Sequence, residues 1–251
     1  TGSVAAAVLT GAQVGLWQVA VVWGFGVALA VHATAGLSGA HLNPAISLAF
    51  ALVRSREFPL GRLLPYVLSQ LAGAVLAGVT VAGLFHPFLV RFEQANGIMR
   101  GAPGSELSAM VFGEYFPNPA LFGTGPEAQA LVAPWYAATV EGFGTSVLAF
   151  VVFAFTSSHN RSAPPAAAVP FFVGFTVAVL ISLFAPITQA GWNPARDFGP
   201  RLVAFALGWG EIALPGPNGT FWPYIVGPLL GAPLGASLAE GMLRLRRASQ
   251  P

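Results

Sequence analysis

The chain has 251 residues, 55% of them hydrophobic and 8% charged, and its mean hydropathy is +0.70. That profile excludes an ordinary water-soluble domain and a disordered chain alike, and it points to lipid as the solvent. Cysteine is absent, which excludes a disulfide framework and a thiolate metal site, and a net charge of +2 gives no ground for a nucleic-acid partner.

In chain order, the opening TGSVAAAVLTGAQ lacks the basic start and apolar length of a signal peptide. Apolar windows then occur at 15–37, 63–85, 134–156, 166–188 and 221–239. Each reaches the roughly 20 residues that a helix needs to cross about 30 Å of hydrocarbon, so five full spans are predicted. Every basic residue is Arg. Arg54, Arg56, Arg62, Arg161, Arg244, Arg246 and Arg247 fall on one predicted side, which places those segments and the C-terminus in the cytoplasm. The segment 86–133 and the charged stretch GWNPARDFGPRL at 191–202 then face outward. The tail RLRRASQP is expected to be a juxtamembrane anchor.

Sliding the chain by 150 residues aligns 22–45 with 172–195 without a gap. Gly24, Phe25, Val27, Ala28, Ala35, Ala40, Asn43, Pro44 and Ala45 recur in the second copy. One span before and one after the matched one give three per unit, so the two units must lie in opposite orientations, as in inverted-repeat transport proteins. The predicted organisation is one transmembrane channel domain over 1–251: repeat one at about 1–85, a loop at about 86–133, and repeat two at about 134–251. Repeat one lacks room for its first helix, and a missing N-terminal helix is the expectation.

Each repeat carries Asn-Pro-Ala, at 43–45 and at 193–195, followed by a short stretch half a span long. Asn is a favoured N-cap and Pro suits the first helical position, so each motif starts a half-helix. Two half-helices of about 15 Å, entering from opposite faces, would meet at the midplane. The irregular backbone before them is tolerated there only along a wet cavity, which makes Gly39, Ala40, His41, Gln189 and Gly191 candidate pore-lining residues. Two Asn donors and two positive helix ends at one level would orient passing water and repel cations.

SGAHLNPAISLAF and GWNPARDFGPRL resemble the signature loops of the aquaporin and glycerol facilitator family, and the likeness runs along nearly the whole chain. YVLSQLAGAVLAG, RFEQANGIMRG, YFPNP and NPARDFGPRLVAFALGWG resemble bacterial aquaglyceroporins in order and spacing. The resemblance implies an all-α inverted-repeat bundle with two re-entrant half-helices, whose six spans begin one helix upstream of residue 15. It also implies an outer filter of Trp23, Ile181, Ala190 and Arg196, with no cofactor and a homotetramer in the cell membrane. Arg offers fixed donors to hydroxyls, and Trp an apolar face to a carbon skeleton. Ile181 stands where water-selective members carry His, and Ala190 where glycerol facilitators carry an aromatic ring. Glycerol, water and urea are the expected permeants.

The resemblance implies that Glu141, inside a span, braces a re-entrant loop by hydrogen bonds, and Asp197 with Arg201, four apart, are expected to form a structural ion pair. The resemblance also marks Phe116 and Pro228-Leu229 as glyceroporin-like. Asn118-Pro119-Ala120 is a third copy of the motif in loop surroundings, with no pore role expected. His32 and His41 suggest packing and lumen positions, with no metal cluster around them. The alternatives are a water-selective channel and, from another class, an intramembrane serine protease using Ser38 in the Gly-x-Ser-Gly stretch at 36–39.

Overall fold

The structure, a computed structural model, describes residues 1–248; residues 249–251, the end of the expected juxtamembrane anchor, lie outside the described residues. Among the described residues there are nine helices of more than eight residues: α1 (Gly2–Thr10), α2 (Leu16–Ser38), α3 (Pro44–Val53), α4 (Leu63–Leu84), α5 (His86–Ala95), α6 (Pro134–Thr156), α7 (Val169–Thr188), α8 (Pro194–Ala204) and α9 (Pro223–Ala248). Of these α2, α4, α6, α7 and α9 are long and apolar enough to cross a membrane, in close register with the predicted windows. α3 and α8, of 10 and 11 residues, are half-length helices. α1 has nine residues, too few to span, and its Ala5 is buried against Val81 and Leu89.

The segment 86–133 was expected to be a loop. It carries α5 and three short helical turns, Glu106–Ala109, Pro119–Phe122 and Pro126–Leu131. α5 is too short and polar to register as a span, yet it turns Leu89 and Glu93 inward and leaves Phe88 and Arg91 exposed. Glu93 receives three hydrogen bonds from Arg100, whose guanidinium lies 4.1 Å from the Trp209 ring centre.

α6 packs along α9, α2 along α7, α4 along α8, and α3 against α9. With no water to drive apolar surfaces together, contact in lipid depends on close approach, and the buried cluster of Ala45, Ala49, Ala149, Ala232, Ala236 and Ala239 supplies it. Leu29, Leu76, Trp135, Phe143 and Leu230 point outward, as lipid-facing residues should. Where α2 crosses α7, Gly24 meets Gly174, its counterpart 150 residues on. A Cβ on Gly24 would stand 2.6 Å from the Gly174 carbonyl oxygen, so the two backbones touch with no space for a side chain.

Candidate functional site

The half-helices begin face to face. Asn43 caps α3 by accepting from the Ala45 N–H at 2.9 Å, and Asn193 caps α8 by accepting from Ala195 and Arg196 at 3.1 and 3.2 Å. Each amide then donates across the boundary: Asn43 Nδ2 to the Trp192 carbonyl, and Asn193 Nδ2 to the Leu42 carbonyl, both at 2.8 Å. The bonds are reciprocal under the 150-residue offset. One amide hydrogen per Asn is used in this way, and one is left. Pro44 and Pro194 occupy the first helical positions.

The loops that lead into the caps repeat one unusual backbone. Gly39, Ala40 and Leu42 have φ of 74°, 49° and 53°, and Gln189, Ala190 and Trp192 have φ of 57°, 61° and 47°. Ala, Leu, Gln and Trp in the left-handed region store strain, and such strain persists only where the surroundings over-determine it. In the second loop, buried Glu141 on α6 is part of those surroundings. Its carboxylate accepts from the Gly191 N–H at 3.0 Å and the Trp192 N–H at 2.6 Å.

A cavity of about 680 Å³ runs past these loops. Its walls include Gly39, Ala40, His41, Asn43, Gly191 and Asn193, and also the four candidate filter residues Trp23, Ile181, Ala190 and Arg196. The Arg196 guanidinium lies 4.5 Å from the Trp23 ring centre, so the charged and aromatic members touch. Arg196 also pairs with Glu114, a residue that sequence reasoning did not single out. Glu114 is 1% exposed, and its backbone is held at both ends: its N–H donates to Asp197 at 2.8 Å, and its carbonyl accepts from Arg201. Asp197 and Arg201 are joined at 2.8 and 2.9 Å and are 0% and 1% exposed. Arg201 also donates to the Ala213 carbonyl at 3.0 Å and lies 4.8 Å from the Tyr115 ring centre. Burial pushes the Tyr115 phenol above its usual range, so it stays neutral while donating to the Ile212 carbonyl.

Residues 2–238 match the sequence pattern of the family described as Major intrinsic protein. The chain belongs to that family. It is 41% identical to the glycerol uptake facilitator protein of Pseudomonas aeruginosa, over 98% of this chain and 82% of that one. It is 38% identical to the propanediol uptake facilitator of Citrobacter freundii, over 94% of this chain and 83% of that one. The X-ray structure of the aquaglyceroporin from Plasmodium falciparum superposes with a TM-score of 0.78, covering 97% of this chain and 91% of that one; at 23% identity the likeness is one of fold.

As a major intrinsic protein the chain is a multi-pass membrane channel, not an enzyme. Ser38 accordingly has no nucleophile's surroundings. Its hydroxyl donates to the Thr34 carbonyl at 3.4 Å and accepts from the Ala40 N–H at 3.3 Å, which is helix-end chemistry with no histidine bonded to it. Gln189, expected among the pore-lining residues, has its side chain turned away. Its oxygen accepts from the Tyr115 N–H at 2.7 Å, because that buried amide needs a partner and the cavity wall beside it is already closed by Ala190. Asn118 makes the same cap as the other two motifs, with Ala120 at 3.0 Å, but its helix is one turn long. Its backbone and side-chain N–H groups serve the Pro186 and Ala185 carbonyls. His41 stacks on Phe50 at 4.5 Å and bonds Ser47 at 3.1 Å, whereas His32 is exposed on α2 away from the cavity. Among the described residues no group of three or more acid or histidine side chains could hold a metal ion.

Proposed function

We propose that the cavity is a passive conduit for glycerol and similar small neutral solutes, urea among them, with some water and with protons and ions excluded. The observation that carries this reading is the meeting of two Asn-capped helix starts on one lumen, each Asn bonded to the opposite loop. Two positive helix ends and the remaining amide hydrogens orient a hydroxyl oxygen and oppose a cation. Trp23 then offers its face to a carbon backbone while Arg196 donates to hydroxyls, and Ile181 and Ala190 leave that constriction wide and apolar. The curated relatives from Pseudomonas aeruginosa and Haemophilus influenzae are glycerol uptake facilitators by name, at 41% and 39% identity, which supports the choice of solute.

On this reading, residues 1–251 form one channel domain of two inverted repeats, about 1–85 and 134–251, joined by 86–133. It sits in the cell membrane as a homotetramer, with the C-terminus and the ends bearing Arg54, Arg62 and Arg161 on the cytoplasmic side. The test is stopped-flow light scattering on proteoliposomes. Glycerol and urea entry should exceed that of protein-free vesicles severalfold, with no added proton leak. Vesicles that speed water exchange yet exclude glycerol would reassign the protein as a water channel.

A further inference from the structure

At the end of the lumen away from Arg196, Arg54 caps the C-terminus of α3 and is held on every side. Its Nε and Nη2 donate to Glu240 Oε1 on α9, at 2.7 and 2.5 Å. Nη2 also donates to the Phe153 carbonyl at 2.8 Å, and Nη1 to the Thr156 hydroxyl at 2.9 Å, both at the end of α6. The side chains of Arg54 and Glu240 are each 8% exposed, whereas their outer neighbours Glu57 and Arg244 are 69% and 67% exposed and about 4 Å away. A planar donor fork therefore fastens the tail of the half-helix to two spans at once. Its position at the ends of α3 and α6 also sets positive charge on two negative helix termini.

The fork reaches the lumen wall through one ring. The guanidinium carbon lies 5.5 Å from the Phe50 ring centre and 4.6 Å from that of Phe153. Phe50 in turn stacks on His41 at an interplanar angle of 11°, and Phe50, His41 and Thr156 all line the cavity. We infer that Arg54, held by Glu240, is a positioning residue that fixes the width of this end of the conduit by holding Phe50 and Thr156 in place. The inference rests on the cavity being a water-filled passage, and it concerns neither the Asn pair nor the Trp23–Arg196 constriction.

Because the chain has no cysteine, single reporters are clean. Val152→Cys lines the cavity on α6 near the latch formed by Arg54 and Glu240, and Ala190→Cys lines it at the far constriction. Each is placed in the whole 251-residue chain, reconstituted, and its reaction rate with the small uncharged reagent methyl methanethiosulfonate is measured in the folded fraction. Arg54→Met and Glu240→Gln should each change the Val152→Cys rate about ten-fold, the scale of coupling between contacting residues, and leave the Ala190→Cys rate unchanged. Arg54→Lys should recover part of the difference. If Arg54→Met does not fold, Glu240→Gln carries the test alone. Equal rates at Val152→Cys in all backgrounds, or parallel changes at both reporters, overturn the proposal. A Val152→Cys that stays unreactive in the otherwise unmodified chain removes the conduit reading itself, and the latch with it.

Discussion

Asn43 and Asn193 each divide one amide between two helices. The oxygen closes the first turn of its own half-helix, and the nitrogen holds the opposite loop, so the positions of the two tips are tied to the same four atoms. Replacing either residue by Ala removes a cap worth about 1 kcal/mol and a hydrogen bond to the opposite loop of about the same size. Asn43→Ala and Asn193→Ala should each lower stability by about 2 kcal/mol, read from thermal unfolding in detergent. The double variant should lose less than the sum, because each single change already loosens the shared contact. Additive losses would mean that the two caps act independently. Glu141 belongs to the same argument at one remove: two loop N–H groups in a strained backbone have a single buried carboxylate as acceptor.

Between elements, the contact that places the two repeats is backbone on backbone at Gly24 and Gly174. Gly24→Ala would put a methyl group 2.6 Å from a carbonyl oxygen that belongs to the facing helix and cannot turn aside. Overpacking of this kind costs about 1–3 kcal/mol, so folded, monodisperse protein should drop sharply. Gly36→Ala on the same helix meets nothing within 4 Å and should be neutral or stabilising, which separates packing from helix propensity. The α2–α7 pairing was half legible in the sequence. The offset of 150 aligned Gly24 with Gly174 and Asn43 with Asn193, but alignment of two segments does not say that aligned residues touch. They touch here, each glycine facing the other's carbonyl oxygen. The spans themselves were readable because lipid imposes one requirement, about 20 apolar residues, on every one of them.

For the molecule as a whole, much of what escaped the sequence lies in the segment 86–133, which holds no candidate span, so the demand for about 20 apolar residues does not act on it. α5 hides two inward residues in a polar stretch. Glu114 meets Arg196 from 82 positions away, and Gln189 spends its amide on Tyr115, 74 positions away. No local pattern announces such pairings: Glu114 is one of four glutamates in 86–133, and nothing in its neighbours sets it apart. The meeting of Gly24 with Gly174 has a last consequence for kinetics. Inverted halves elsewhere rock about a central site, and each cycle moves a fixed cargo. Here the halves are fused at a point without side chains and tied again by the crossed asparagine bonds, so no swing is available to them. Transport should therefore show no turnover ceiling: flux should climb in proportion to the solute gradient up to high concentration, and a saturating curve would expose a hidden carrier cycle.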